Sequence, residues 1–264
     1  MENAFDPSQY WERRLQNNPG ITGVGYTSLG TGYNEWLYRI RKRVFLRLLA
    51  SQQFGWEDAS VLDVGSGTGF YIQRWKDAGV RKIVGSDLTA IATGRLKELF
   101  PNEEFVQTDI GGEIPKTWVC LFDAVSAFDV FFHIVDDQRY QKALQNVSSV
   151  LRSGGLFFFS DILLHGPTKR SIHMVSRSLS DVERHVRAAN FEIINRVPMF
   201  VLLNQPLDTK SKIHPFVWQS FVYAVRMCAP LGYIVGGMLY PLESLLTRYC
   251  RESPTTEILV CRKH

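Results

Sequence analysis

Val61-Leu-Asp-Val-Gly-Ser-Gly-Thr-Gly69 sets Asp63, Gly65, Gly67 and Gly69 at strict alternate positions. Val61 to Val64 reads as a short buried strand, and the glycines then turn the chain into a helix starting near Phe70. A residue without Cβ tolerates positive φ and lets backbone lie against a ligand. The dinucleotide fingerprint G-x-G-x-x-G would need its third glycine at position 70, where the chain has Phe70. A nicotinamide dinucleotide is therefore disfavoured.

From Val61 onward, strand-like and helix-like stretches alternate. A helix is expected around 70–78, a strand at 82–86, a helix at 90–100 and a strand at 104–109. An irregular link over 111–118 leads to a strand at 123–128 and a helix from about 136 to 151. Ser153-Gly154-Gly155 then turns into the apolar run Leu156–Asp161. Such uniform runs fit a parallel sheet covered on both faces. Ser180 with Glu183 resembles a capping box, with the helix free to begin slightly earlier, and a sixth strand follows at 191–197. The last strand, 256–261, comes about fifty residues later, too far for a structureless loop. Pro241 suits a first helical position there, and Leu242, Leu245, Leu246 and Tyr249 form an apolar stripe. The expected fold is α/β, with a doubly wound, mostly parallel seven-stranded sheet. A helical flank (1–54) precedes the core (55–203), a helical cap (204–252) lies over the sheet's active edge, and 253–264 returns to the core.

In the flank, Trp36, Leu37, Ile40, Val44, Phe45, Leu48 and Leu49 mark one buried helical stripe, opposite Arg39, Arg41, Lys42, Arg43 and Arg47. Those cations read as a solvated face, with an anionic partner as the alternative.

Composition narrows the classes further. A net charge of +4 over 264 residues does not itself imply nucleic acid. Cys120, Cys228, Cys250 and Cys261 form neither a C-x-x-C pair nor zinc-like spacing, so reduced thiols and a cytoplasmic location are expected. The N-terminus lacks a signal-peptide pattern. From Phe216 to Leu242 the only formal charge is Arg226. Pro230, Gln219 and Gly236-Gly237 argue against a transmembrane span there and favour two apolar helices, with shallow membrane contact as the alternative.

The D-x-G-x-G-x-G turn resembles the first motif of class I S-adenosylmethionine (SAM) dependent methyltransferases. The resemblance extends through Phe122–Ile134 and Leu144–Asp161 and covers about residues 55–200. It implies that Asp63, Gly65, Ser66, Gly67 and Gly69 cradle the amino-acid end of SAM. Asp87, with Leu88, would take the ribose. Asp109 and Ile110 would meet the adenine, and Phe128 would line the site. Each acid also has a plainer reading, as a helix cap. In that family, aromatic residues of N-terminal helices often close over SAM, making Tyr10, Trp11, Tyr33 and Trp36 candidates, with core packing favoured for Trp36.

Methyl transfer from a sulfonium needs alignment and exclusion of water more than covalent help. His133 is the candidate base for an acceptor that carries a proton, set against a purely structural histidine. His165, Trp218 and Tyr223 are weaker candidates toward the acceptor, and Asp129 reads as a SAM-side or structural residue. No metal cluster and no N/D-P-P-Y/F segment is present, so neither a metal nor a nucleic-acid base is expected. The implied activity is methyl transfer from SAM to a small apolar or amphiphilic molecule, most simply at a hydroxyl oxygen. N- or C-methylation, a non-catalytic SAM-binding protein and a membrane-associated protein are the alternatives. Oligomeric state is left open.

Overall fold

Apolar side chains alternate across each central strand, so the sheet is buried on both faces. Val61, Phe158 and Val260 point to one layer; Leu62, Phe157 and Leu259 point to the other. The structure is a computed structural model that describes residues 5–264. The chain begins with α1 (Pro7–Asn17), α2 (Ile21–Val24) and α3 (Gly30–Ser51). The alternating core follows as β1 (Ser60–Val64), α4 (Phe70–Asp77), β2 (Lys82–Asp87), α5 (Ala90–Leu99), β3 (Glu104–Gln107) and β4 (Phe122–Ala127). It continues through α6 (Asp137–Val150), β5 (Leu151–Asp161), a small hairpin of β6 (Lys169–Arg170) and β7 (Val175–Ser176), α7 (Leu179–Ala188) and β8 (Phe191–Pro198). Two helices, α8 (Ile213–Met227) and α9 (Ala229–Tyr249), precede β9 (Glu257–Lys263).

The seven-stranded sheet has the order β3-β2-β1-β4-β5-β9-β8. Strands β1 to β5 pair in parallel, whereas β9 is antiparallel to both neighbours. β9 can occupy an interior position because Ile258 to Cys261 are all fully buried. The order reverses between β1 and β4, and such a switch point opens a crevice at the strands' carboxyl ends.

The α3 stripe of Leu37, Ile40, Val44 and Phe45 packs on one face of the sheet, and α6 and α7 cover the other through Tyr140, Leu144, Val182 and Val186. The α7 helix starts two residues earlier than a Ser180 cap would give: Ser178 is the N-cap, its hydroxyl accepting the Asp181 amide.

The insert differs from the sequence reading in two respects. Pro241 lies inside α9 rather than at a helix start. The stripe around Leu242 and Leu245 faces outward, with Leu242 47% and Leu245 54% exposed. What α9 buries is small or polar: Gly232, Gly236, Glu243, Ser244 and Thr247. Gly236 is required there, since a Cβ would sit 2.6 Å from Cδ1 of Trp36 on α3. The glycine pair thus lets α9 approach α3 closely. No helix among the described residues is long and apolar enough to cross a membrane.

Candidate functional site

The glycine turn after β1 opens onto a cavity of about 590 Å³ at the switch point. Gly65, Ser66, Gly67 and Thr68 form one wall. Gly67 is left-handed (φ 51°), and a Cβ on it would press to 3.1 Å of Cγ1 of Val24 opposite. Gly69 plays a different part from its neighbours. It lies off the cavity wall, ahead of α4, where a Cβ would collide with Phe100 at 2.5 Å and Leu96 at 2.8 Å. Its absent side chain seats the turn on α5.

Asp87, at the end of β2, is buried at the cavity's edge. Its Oδ2 accepts the Gly67 amide (2.9 Å), and its Oδ1 accepts the amide (2.9 Å) and hydroxyl (2.7 Å) of Thr89. A carboxylate offers about four acceptor positions, so Oδ2 keeps one for a ligand hydroxyl. Burial raises its pKa, against the opposing pull of these bonds. Leu88, Ile110 and Asp109 lie on the same wall. Asp109 pairs with Arg139 and accepts the Gly111 amide at 2.8 Å. A glycine cradle that tolerates no Cβ, a carboxylate with a free acceptor position and an apolar wall fit the amino-acid, ribose and adenine parts of SAM.

Asp63 stands behind this wall rather than on it. Its Oδ1 accepts the Ser126 hydroxyl at 2.5 Å, and Ser126 in turn accepts the indole N–H of Trp75 at 2.8 Å. Oδ2 is buried without a partner among the described residues. Burial pushes the carboxyl up to about 7, with Ser126 and Ser66 working against the rise. The geometry makes Asp63 a support for the turn.

The cover over the cavity is α1, and the insert contributes nothing to its lining. Asp6, Ser8, Trp11 and Leu15 line the cavity, and no residue of 204–252 does. Helix α1 is held from several sides. The Glu12 carboxylate accepts the Ala90 and Ile91 amides (both 3.1 Å) at the start of α5, where the helix dipole favours a negative charge. Arg14 donates to the Gly23 and Gly25 carbonyls at 2.7 and 2.5 Å. Tyr10 stacks on His173, and Trp11 meets His133 edge-on with centroids 4.9 Å apart.

His133 does line the cavity. Its Nδ1 lies 2.8 Å from the His173 carbonyl, an acceptor only, so Nδ1 carries the proton and Nε2 keeps a lone pair. Burial lowers its pKa to about 4, only partly offset by that bond and by Asp129. It is therefore a neutral acceptor across the physiological range and a weak base.

Several lining residues carry no motif: Arg41 and Tyr38 reach the cavity from α3, and Phe70 and Tyr71 from α4. Asp129, read from the sequence as a SAM-side or structural residue, lines the cavity from the end of β4. Arg41, expected on a solvated face, is 8% exposed and pairs with Asp129 at 2.6 Å. Phe128 lies on the wall and stacks on Tyr71 at 4.0 Å between centroids. No local pattern marks Arg41, because nothing near it in sequence tells which helix face the cavity takes. Tyr38 and Arg41 do share a three-residue spacing that places both on one face.

Tyr10 does not line the cavity, and Tyr33, Trp36, His165, Trp218 and Tyr223 lie away from it too. Tyr33 is buried in the core and donates to the Leu203 carbonyl at 2.8 Å. Trp218 packs against Tyr26, Tyr33 and Phe221. Tyr223 is 68% exposed on α8. His165 is exposed and bonded to Asp208, which holds its pKa above the ordinary value. Trp36 is core-side packing against α9, as the sequence favoured. Among the described residues no cluster of His, Cys, Asp or Glu could hold a metal ion.

Known proteins resemble this chain in a domain and in the fold. Residues 61–155 match a family model described as a methyltransferase domain. A tRNA U34 carboxymethyltransferase of Campylobacter hominis is 28% identical over 108 residues, 40% of this chain. The match spans 37% of that relative's length. Among solved structures, a TehB-like SAM-dependent methyltransferase of Corynebacterium glutamicum is similar with a TM-score of 0.53 at 13% identity, covering 97% of this chain and 99% of that one. The [4+2]-cyclase SpnF is similar with a TM-score of 0.53 at 18% identity, covering 84% and 80%. At these identities the structural likeness shows the fold.

Proposed function

We propose that this chain, whose residues 61–155 match a methyltransferase domain, is a class I SAM-dependent methyltransferase that transfers a methyl group to a small-molecule acceptor at a hydroxyl oxygen. The observation that carries the reading is a single cavity that joins the glycine turn and Asp87 to His133 beneath α1. When bound, SAM supplies an electrophilic methyl group on a sulfonium.

The residues divide by place along the cavity. The backbone of Gly65, Ser66 and Gly67 holds the amino-acid end, and Asp87 accepts from the ribose through Oδ2. Leu88 and Ile110 flank the adenine, with Asp109 toward its amine and Phe128 on the inner wall. Asp63 and Gly69 support the turn from behind. Trp11 and the rest of α1 exclude water, which strengthens every polar contact inside. The lone pair on Nε2 of His133 accepts a hydrogen bond from the acceptor hydroxyl and orients its oxygen; as that oxygen takes the methyl group and the methyl–sulfur bond breaks, the hydroxyl proton would pass to Nε2 and from there to solvent. A base with a pKa near 4 contributes more by alignment than by proton affinity.

The relative named for tRNA supports a second reading, in which the acceptor is RNA. The placement of Trp11 and Leu15 of α1 on the cavity lining favours the small molecule. Titration calorimetry with SAM, and with NAD as control, tests the donor half: one-to-one binding of SAM alone is expected. A screen with methyl-labelled SAM over hydroxylated small molecules and bulk tRNA tests the acceptor half. Label on tRNA alone would replace the small-molecule reading, and SAM binding without transfer to any acceptor would make the protein a non-catalytic binder.

A further inference from the structure

The α8–α9 pair carries apolar side chains on its outward side as well as against the core. Eleven of the sixteen exposed large apolar side chains among the described residues fall on these two helices. On α8 they include Phe216, Val217 and Met227; on α9, Ile234, Met238 and Leu242 recur at four-residue spacing along one face. The inward face of α9 joins the Trp36 packing to polar contacts. Glu243 accepts the amides of Val201, Leu202 and Leu203 at 2.8, 2.8 and 3.4 Å, and Arg47 of α3 donates to the Thr247 carbonyl at 2.7 Å. An apolar area of this extent on a surface marks an interaction site.

Charge selects the occupant. Between residues 209 and 251 the chain has Lys210, Lys212, Arg226, Arg248 and Arg251 but a single carboxylate, Glu243. Glu243 is fully buried, and all five cations are exposed. None of the five enters an ion pair among the described residues. Along residues 209–251 solvent therefore meets apolar helix faces together with exposed cations and no exposed carboxylate. Interfacial helices join apolar burial to attraction for anionic headgroups in this way. A second copy of the chain is a poorer fit, because a two-fold interface would bring one basic border against another. Neither helix is long and apolar enough to span a bilayer, so the fit is to its surface.

We infer that α8 and α9 dock the protein on the surface of an anionic lipid bilayer, with the outward side chains around Met238 and Leu242 entering the headgroup boundary. The inference stands apart from the proposed methyl transfer and needs no SAM.

The test is co-sedimentation of the full chain with phosphatidylcholine vesicles containing phosphatidylglycerol, against vesicles of phosphatidylcholine alone. Binding to the anionic vesicles that weakens with added salt is expected. Met238→Asp with Leu242→Asp should lower partition at least about tenfold while thermal unfolding stays near that of the parent, since both side chains are solvent-facing. Lys212→Gln with Arg226→Gln provides an independent arm, with a loss of about fivefold for each charge removed. The inference is overturned by absence of binding, by equal binding to neutral vesicles, or by anionic binding that neither pair of substitutions weakens. A lipid-free dimer that Met238→Asp dissociates would also overturn it, making a second copy the occupant.

Discussion

Arg41 and Asp129 form an ion pair at 2.6 Å on the cavity wall, tying α3 to the end of β4. Asp129 holds a left-handed backbone (φ 59°), secured by reciprocal bonds with Ser160: its amide donates to the Ser160 hydroxyl at 2.7 Å, and that hydroxyl donates back to Oδ1 at 3.0 Å. A non-glycine residue in this conformation persists only when its surroundings determine it. Burial works to lower the pKa of Arg41, but Asp129, Tyr71 and Tyr38 together outweigh it and keep the guanidinium charged.

Removing one partner of this pair should cost more than removing both. Arg41→Met is expected to destabilise the fold by about 3 kcal/mol, because it leaves a largely buried carboxylate without its cation. Adding Asp129→Asn should recover part of that loss. Urea unfolding of the two single variants and the double variant measures the coupling, and additive losses would show that the pair contributes nothing of its own.

Asp87→Asn should weaken SAM binding about ten- to a hundredfold, the range for losing hydrogen bonds to a charged acceptor of about 1.5–3 kcal/mol. Calorimetric titration reads the affinity, and circular dichroism checks that the glycine turn's loss of one bond has not unfolded the domain. Unchanged affinity would remove Asp87 from the ribose position.

The pH profile tests His133. Its pKa lies near 4, below the ordinary 6.5 for histidine, so the neutral form and its Nε2 lone pair persist as pH falls through 6. Turnover governed by this group should hold steady from pH 8 down to about 5 and fall only on approach to pH 4. An acid limb centred near 6.5 would assign the ionisation to another group. The same depression makes the unfolded chain bind the proton first, so stability drops between about pH 6.5 and pH 4, and His133→Gln should remove that slope.

Asp63 gives the opposite sign. Its carboxyl titrates near 7 in the fold and near 3.8 when unfolded, so the folded state binds more protons between those values. Stability from this group is full below about pH 4 and is lost as pH rises through 7. Asp63→Asn should therefore be more stable than the parent at pH 8, with the gap closing toward pH 4. A variant equally destabilised at every pH would show that packing, not ionisation, dominates at this position.

Glu12→Ala should loosen α1 without harming the sheet. It strips the two amides at the start of α5 of their acceptor, although the Thr89 hydroxyl still caps that helix. Expected outcomes are a severalfold rise in the SAM dissociation constant, from α1's place over the cavity, and faster proteolysis within residues 7–17. Unaltered binding would mean that α1 is not the cover.

Sequence alone determined the α/β alternation, the glycine turn and the acids at the strand ends. Each is a local matter: side-chain period sets strand or helix, absence of Cβ permits the turn, and an acid just past a strand must lie at the sheet's carboxyl edge. Asp87 was legible for that reason, whereas Ile110 and His133 were named through the family resemblance of the segments that carry them. Only the tertiary structure decided which helix covers the cavity and which way each helix faces. Periodicity shows that α9 has an apolar stripe but not whether the stripe or the opposite side meets α3. Trp36 against Gly236 and the Glu243 carboxylate on three amides settled that orientation, through contacts between segments far apart in the chain. Arg41 was misread for the same physical reason: a cation on a helix looks solvated until a carboxylate more than eighty residues away, Asp129, is folded against it.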